Sequence, residues 1–344
     1  MNPITKAKVF LNRVASGSFK RMGNFAKGIH ERTGKPTPLI LGDMAWCILR
    51  YGIGYQEYAN YGFENKSGAQ RKTYMTMNHS VALNKMLNDD SLVPMVDDKA
   101  EFIHRYRNFL GRECHVVDEM NEELFRTFSS KYDTVFLKAA GSFGGLDVRK
   151  IRTAEVEDPY ALYKELTADP KKRYVIEEAI HQHPEMNRLC AKSVNTLRMV
   201  TIVKDGTAKF IYACLRMGKG DKPVDNATSG GIYTKVDRDG VLRYPAYCEK
   251  EGVFYETHPD TGTVIKGFVV PMFDKAVELV LNAAMVEPRL GYIGWDVAIT
   301  ENGPVLVEGN VLPGYDIIQN SAWCPDGNGF LPEFEKEFGM KIPH

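Results

Sequence analysis

The segment Gly294-Trp-Asp-Val-Ala-Ile-Thr-Glu-Asn-Gly-Pro-Val-Leu-Val-Glu-Gly-Asn310 constrains the fold more than any other part of the chain. Asp296 opens an apolar, β-prone run, Glu301-Asn302-Gly303 supplies a turn, and Val305-Leu306-Val307 leads to Glu308-x-Asn310. Two β-prone runs joined by an Asn-Gly turn specify a hairpin. Side chains alternate faces along a strand, so Glu308 and Asn310 share one face, and the turn can bring Asp296 opposite them. Two carboxylates and an amide oxygen on one patch make an oxygen-only set suited to a hard cation such as Mg2+. The same residues also describe a polar strand end capped by a surface acid. Alone, the motif leaves both readings open.

A chain of 344 residues is long enough for two or three subdomains with cores of their own. With 44 Lys and Arg against 44 Asp and Glu, the net charge is zero, which argues against an electrostatic nucleic-acid binder. Cys47, Cys114, Cys190, Cys214, Cys248 and Cys324 are scattered without a C-x-x-C pair. That pattern argues against a disulfide framework or zinc site and for a reducing compartment. No run approaches the length of a membrane span and no signal-like apolar segment opens the chain, so a cytoplasmic location is expected. The charge is uneven, however. Residues 1–35 hold eight Lys or Arg against Glu31 alone, leaving +7 there and −7 on the rest. Leu11, Val14 and Ala15, then Met22, Phe25, Ala26 and Ile29, recur at helical spacing. Such a face packs on its own protein or lies on an anionic membrane through residues 1–30, and the sequence supports either reading.

Gly34-Lys-Pro-Thr-Pro38 is a turn-rich break, and residues 39–95 mix aromatic positions with short helical patterns such as Ala45–Leu49 and Ser80–Leu87. A helix is expected from Asp97 or Asp98 through Leu110, and another over Asn121–Tyr132. The period then changes. Thr134–Lys138 and Leu146–Ile151 read as strands around a glycine loop, 159–167 as a helix, and Arg173–Glu178 as a further strand. Thr196–Lys204 and Lys209–Leu215 form a hairpin around Asp205-Gly206, and Gly267–Val286 reads as a helix halted by Pro288. No internal repeat is evident. The fold class is α+β with antiparallel hairpins rather than a regular βαβ alternation.

Several constellations point to phosphate chemistry. Lys138 ends a strand and is followed by Gly141, Ser142, Gly144 and Gly145, whose backbone can approach an anion closely. The strand–loop–strand order excludes a Walker A loop, and the segment reads as a flexible turn or an ATP-covering lid. Glu177-Glu178-Ala179-Ile180 ends an apolar strand where an exposed backbone would suit a purine edge, or simply solvent. Arg198 and Arg216 sit in apolar strand patterns where an arginine needs an anionic partner. They suit a clamp on phosphate oxygens or a structural ion pair. Asn226, Ser229, Gly230 and Gly231 lie in the following polar loop, where small groups suit contact with substrate or phosphate.

The order lysine, glycine loop, hinge acids, two arginines, polar glycine loop, Asp…Glu-x-Asn resembles the ATP-grasp superfamily. More closely it resembles the sugar-transfer-associated ATP-grasp group, related to alpha-L-glutamate ligase-like proteins. The match is carried by Ser193-Val-Asn-Thr-Leu-Arg198, Gly294-Trp-Asp296 and Val305-Leu-Val-Glu-Gly-Asn310 with Pro313-Gly314. It covers residues 40–330, most specifically 134–314. The resemblance implies an ATP-grasp fold of two α/β subdomains: a lid over 96–180 and a metal and substrate subdomain over 181–344, preceded by a basic segment 1–38 and a mixed domain 39–95. It implies that Lys99 and Lys138 hold ATP phosphates under the 141–145 loop, that Glu177 to Ile180 form the adenine hinge, and that Glu185 contacts ribose. It further implies Arg198 and Arg216 at the transferred phosphoryl group, Gly314 near substrate, and one or two Mg2+ on Asp296, Glu308 and Asn310. The implied chemistry is ADP-forming amide synthesis through an acyl phosphate. A small-molecule or carrier-linked sugar substrate would be joined to an amino acid in cell-surface polysaccharide synthesis. An ATP-grasp kinase acting on a hydroxyl and a non-catalytic ATP-binding protein are the alternatives. Neither the acceptor nor the oligomeric state is encoded legibly.

Overall fold

The β-prone runs pair antiparallel into two sheets, as short turns between successive strands require. The computed structural model describes residues 18–141, 148–221 and 225–343. Within them the chain forms two units, one of the described residues up to Leu83 with those from Gly314 on, the other Asn84–Pro313.

In the first unit, helices α1 (Ser18–Thr33) and α2 (Thr37–Tyr51) are joined by Gly34, whose φ of +73° ends α1. The break expected over 34–38 is shorter, because Pro38 falls in the first turn of α2, where its missing N–H is not needed. Ile29, Ile40, Met44, Cys47, Tyr58, Tyr61, Phe63 and Tyr74 form an aromatic-rich core. The C-terminal segment joins it through buried Gln319. The Gln319 Oε1 accepts from the Met75 and Phe330 amides (2.8 and 3.1 Å).

The second unit holds both sheets. Strands β1 (Cys114–Val116), β2 (Thr134–Ala139), β3 (Val148–Arg152) and β4 (Tyr174–Glu178) are ordered β1-β4-β2-β3. Helices Glu122–Lys131 and Pro159–Thr167 cover one face through Phe125, Phe128 and Leu166, which pack on Val135, Leu137 and Ile176. The period-2 pleat therefore turns Phe136, Lys138, Val148, Lys150, Val175 and Glu177 to the other face.

Strands β5 (Thr196–Lys204), β6 (Thr207–Met217), β7 (Ile232–Val236), β8 (Ala246–Cys248), β9 (Val253–Tyr255), β10 (Tyr292–Thr300) and β11 (Gly303–Val311) form the second sheet, ordered β11-β10-β5-β6-β7-β8-β9. Positive φ at both Asp205 and Gly206 closes the β5–β6 hairpin with the twist adjacent strands need. Helix Phe273–Ala284 packs on one face, over a core that includes Leu197, Met199, Ala213, Ile293, Trp295, Val297 and Leu306. This helix is shorter than the expected 267–286. Gly267 has φ +89°, and its amide and that of Val270 donate to the carbonyls of Leu242 and Gly240 (2.7 and 2.9 Å). Pro271 and Met272, the latter at φ +52°, make a turn immediately before Phe273, so the helix begins only there.

Candidate active site

Register in the second sheet decides which charges meet. Asp296 on β10 is the direct partner of Arg198 on β5 and of Glu308 on β11, and Gly294 is opposite Asn310. A bulge at Asp296/Val297 absorbs one extra residue in β11. Asp296, Glu308 and Asn310 thus lie on the sheet face away from helix Phe273–Ala284, as the hairpin reading expects. Gly294 has a steric role here: a Cβ would sit 2.7 Å from the Pro313 side chain and 3.1 Å from Arg198 Cδ.

Asp296 is buried and held by both arginines. Arg198 Nε and Nη2 donate to its two oxygens (2.5 and 3.2 Å), and Arg216 Nη2 donates to Oδ2 (2.6 Å). Burial disfavours its charge, but Arg198 and Arg216 outweigh that and hold its carboxyl well below the usual range. Arg216 is fixed in turn by Thr196 Oγ1 (3.0 and 2.6 Å), and Thr196 donates its amide and hydroxyl to Asp225 (2.9 and 2.5 Å). The Glu308 carboxyl behaves differently: burial, then the adjacent Asp296 charge, push it up to about 7.

These residues suit a magnesium ion. The half-buried Glu308 carboxylate faces buried Asp296, two such charges repel one another unless a cation or proton intervenes, and the buried Asn310 Nδ2 has no hydrogen-bond partner. Turning that amide over would present its oxygen beside Glu308. Among the described residues no group of three or more His, Cys, Asp or Glu is placed to hold a metal, so the candidate set is two carboxylates and an amide.

A cleft of about 530 Å³ opens over this patch, in the size range of ligand sites. It is lined from the second sheet by Arg216, Asp225, Asn226, Asp296 and Glu308, and from the first by Phe136, Lys138, Lys150, Glu177 and Glu178. Ala179 and Ile180 also line it. Strand pairing runs through Glu178, so the backbone released from β4 begins at Ala179, two residues later than Glu177. Lys99 also lines the cleft, at the start of helix Lys99–Tyr106, which Asp98 caps by accepting from the Ala100 and Glu101 amides (2.9 and 3.1 Å). The Lys99 amide donates to Ala140 O (3.1 Å), which brings the two lysines to one side of the cleft. Burial, with the neighbouring Lys138 adding to it, lowers the Lys99 ammonium from its ordinary value, although Glu308 pulls it the other way.

Glu177 has a role that its sequence position does not suggest. Its side chain is buried and pairs with Lys138 and with Arg112, whose Nη2 and Nε donate at 2.5 and 2.9 Å. Burial opposes the Glu177 charge, but Arg112 and Lys138 prevail and bring its carboxyl down to about 2. Arg112 Nη1 also donates to Leu306 O on β11 (2.7 Å). One arginine therefore ties the β10–β11 hairpin to the lysine-bearing sheet. Arg112, Thr196, Asp225, Phe136 and Lys150 are missed by motif reading. Arg112 has no local signature beyond a charge next to a short buried strand.

Other expected residues fall elsewhere. Glu185 is exposed, pairs with Arg188 (2.6 Å) and does not line the cleft. Asn226 lines the cleft but Ser229, Gly230 and Gly231 do not. A Cβ on Gly231 would run into the Asp225 carbonyl, so this glycine serves the close approach of the loop. Gly314 belongs to the first unit, beside Asp316 and Ile317. Gly141 follows β2 in a turn, and Ser142, Gly144 and Gly145 lie outside the described residues.

Residues 78–326, well over half of the chain, match the family described as sugar-transfer associated ATP-grasp, and the chain belongs to that family. Similar solved structures include the ATP-grasp ligase PsnB in complex with a minimal precursor. It is 13% identical with a TM-score of 0.41, over 67% of this chain and 57% of that one. Another is D-alanyl-alanine synthetase A from Vibrio cholerae O1 biovar eltor, 12% identical with a TM-score of 0.41, over 72% of this chain and 62% of that one. A third is phosphoribosylamine–glycine ligase from Thermotoga maritima, 14% identical with a TM-score of 0.44, over 74% and 57%. The chain thus spans little more than half the length of the first of these. No curated protein matches the sequence.

Proposed function

We propose that the protein is an ATP- and Mg2+-dependent carboxylate–amine ligase. The observation that carries this reading is the convergence of Lys99, Lys138, Arg216, Asp296 and Glu308 on one cleft in a chain of the ATP-grasp family. Lys99 and Lys138 hold the ATP phosphates, and Ala179 and Ile180 offer backbone to the adenine edge. Asp296, Glu308 and Asn310 hold the metal, which when bound offsets charge on the phosphate oxygens. Arg198 and Arg216 stabilise the transferred phosphoryl group. A substrate carboxylate oxygen attacks the γ-phosphorus, the bond to the β-phosphate oxygen breaks, and ADP leaves. An amine nitrogen then attacks the acyl carbon, the carbon–oxygen bond breaks, inorganic phosphate leaves, and the amine loses a proton. The four-stranded sheet serves as the lid that keeps water from the acyl phosphate.

The sugar-transfer association of the family supports a sugar acid or amino sugar, free or carrier-linked, as one substrate and an amino acid as the other, in cell-surface polysaccharide synthesis. Hydroxylamine trapping tests the reaction class. Incubation with MgATP and a panel of uronic acids and amino acids is expected to yield ADP and a hydroxamate with at least one carboxylate. ADP with a stable phosphorylated product would instead establish a kinase, and no ADP with any substrate class would leave an ATP-binding protein without turnover.

A further inference from the structure

Among the described residues no element covers the outward face of α2, and that face has almost no polar group. At helical spacing, Pro38, Leu39, Gly42, Trp46, Leu49 and Arg50 fall on one exposed arc, and Arg50 is its single charge. Leu39 is 70%, Trp46 56% and Leu49 51% exposed. A side chain added at Gly42 would meet open space, so the arc is uncovered at its centre. The opposite side of α2 already buries Ile40, Met44 and Cys47 in the core. A helix apolar all round has a second surface to satisfy, and contiguous exposed apolar patches of this kind mark interaction sites.

Charge selects the partner. The neighbouring helix α1 exposes Lys20, Arg21 and Lys27 against Glu31 alone, Arg32 being paired with buried Glu64 (2.8 Å), and Phe19 is 69% exposed at its start. The sequence ahead of α1 adds Lys6, Lys8 and Arg13 and no acid. A second copy docking by a two-fold axis would set two such basic hairpins against each other, which opposes self-association. Tryptophan and leucine flanked by lysine and arginine are the composition of elements seated at a lipid headgroup boundary. Among the described residues no helix is long and apolar enough to cross a membrane, so the contact is with the surface.

We propose that the Leu39–Trp46–Leu49 face of α2, flanked by the basic residues of α1, docks on an anionic lipid surface. The inference is independent of the reaction in the cleft. It rests on the first unit alone and places the contact on α2 rather than on residues 1–30 by themselves.

The test uses the full chain with vesicles of phosphatidylcholine alone and of phosphatidylcholine mixed with phosphatidylglycerol. Of the three tryptophans, Trp295 and Trp323 are buried, so Trp46 reports the contact directly. Co-sedimentation with the anionic vesicles, weakening with salt, and a blue shift of emission that Trp46→Phe removes are expected. The double variant Leu39→Glu/Leu49→Glu should bind at least about tenfold more weakly while keeping the wild-type melting temperature. No sedimentation with anionic vesicles overturns the proposal, as does equal binding to neutral ones. A concentration-dependent dimer disrupted by the same double variant, without lipid binding, assigns the face to self-association instead. Binding that survives the double variant and is lost on deleting residues 1–17 moves the contact off α2.

Discussion

Arg112 and Glu177 show how a buried pair holds a neighbouring lysine, Lys138, in place. Glu177 cannot be left without compensation in this site, because removing one member of a buried ion pair strands the other. Arg112→Met is therefore expected to destabilise the protein by about 3 kcal/mol, within the range for broken buried pairs, and to weaken MgATP binding by releasing Lys138. Arg112→Met/Glu177→Met should restore most of the urea midpoint without restoring nucleotide affinity. Equal recovery of both would show that the pair serves stability alone. The pH dependence follows from the same group. The folded carboxyl titrates near 2 against an ordinary 4.5, so the unfolded chain binds the extra proton between these values. The Glu177 contribution is complete above about pH 4.5 and is lost as pH falls toward 2. Urea midpoints of wild type and Glu177→Gln should run parallel above that window, and the gap between them should close below it.

At the scale of the element, the β10–β11 hairpin sets the spacing of the metal-side groups. Gly294→Ala would press on Pro313 and displace Arg198, an overpacking cost of about 1–3 kcal/mol, visible as a lower melting temperature. Charge also sets the order of binding. Arg198 and Arg216 both pair with Asp296 and occupy its oxygens, so that carboxylate is not open to a free cation. Mg2+ alone should bind weakly, and much more tightly once nucleotide is present. Calorimetric titration of Mg2+ with and without ADP checks this; equal affinities would mean that the arginines are not the controlling partners. The hairpin was legible in the sequence because two β-prone runs around an Asn-Gly turn dictate the element, but the bulge at Asp296/Val297 that sets Glu308 opposite Asp296 was not. The helix start at Phe273 was not, because it is set by hydrogen bonds from Gly267 and Val270 to a loop far earlier in the chain. Arg112 was illegible for the same reason: its meaning lies in contacts with β4 and β11, which no local pattern announces.

For the whole molecule, the cleft with its lysines, Arg216 and acids lies within Asn84–Pro313. The C-terminal segment joins the N-terminal helices, so the first unit is discontinuous in sequence. A linear reading of boundaries misses this, since buried Gln319 binds Met75 across the whole intervening unit. Family-level motifs identified the nucleotide chemistry, but the ribose acid did not follow from position, because Glu185 is turned to solvent in a short helix after Pro184. If nucleotide binds the folded state, MgADP at a hundredfold excess over its dissociation constant should add about 2.7 kcal/mol of stability. The most direct measurement is calorimetric titration of MgADP into wild type, Lys138→Met and Glu308→Gln. Saturable binding at one site, weakened at least about tenfold by each substitution at a temperature where every variant is folded, is the predicted result. Absence of binding to the wild type, or binding indifferent to both substitutions, would contradict the assignment of this cleft to magnesium–nucleotide chemistry.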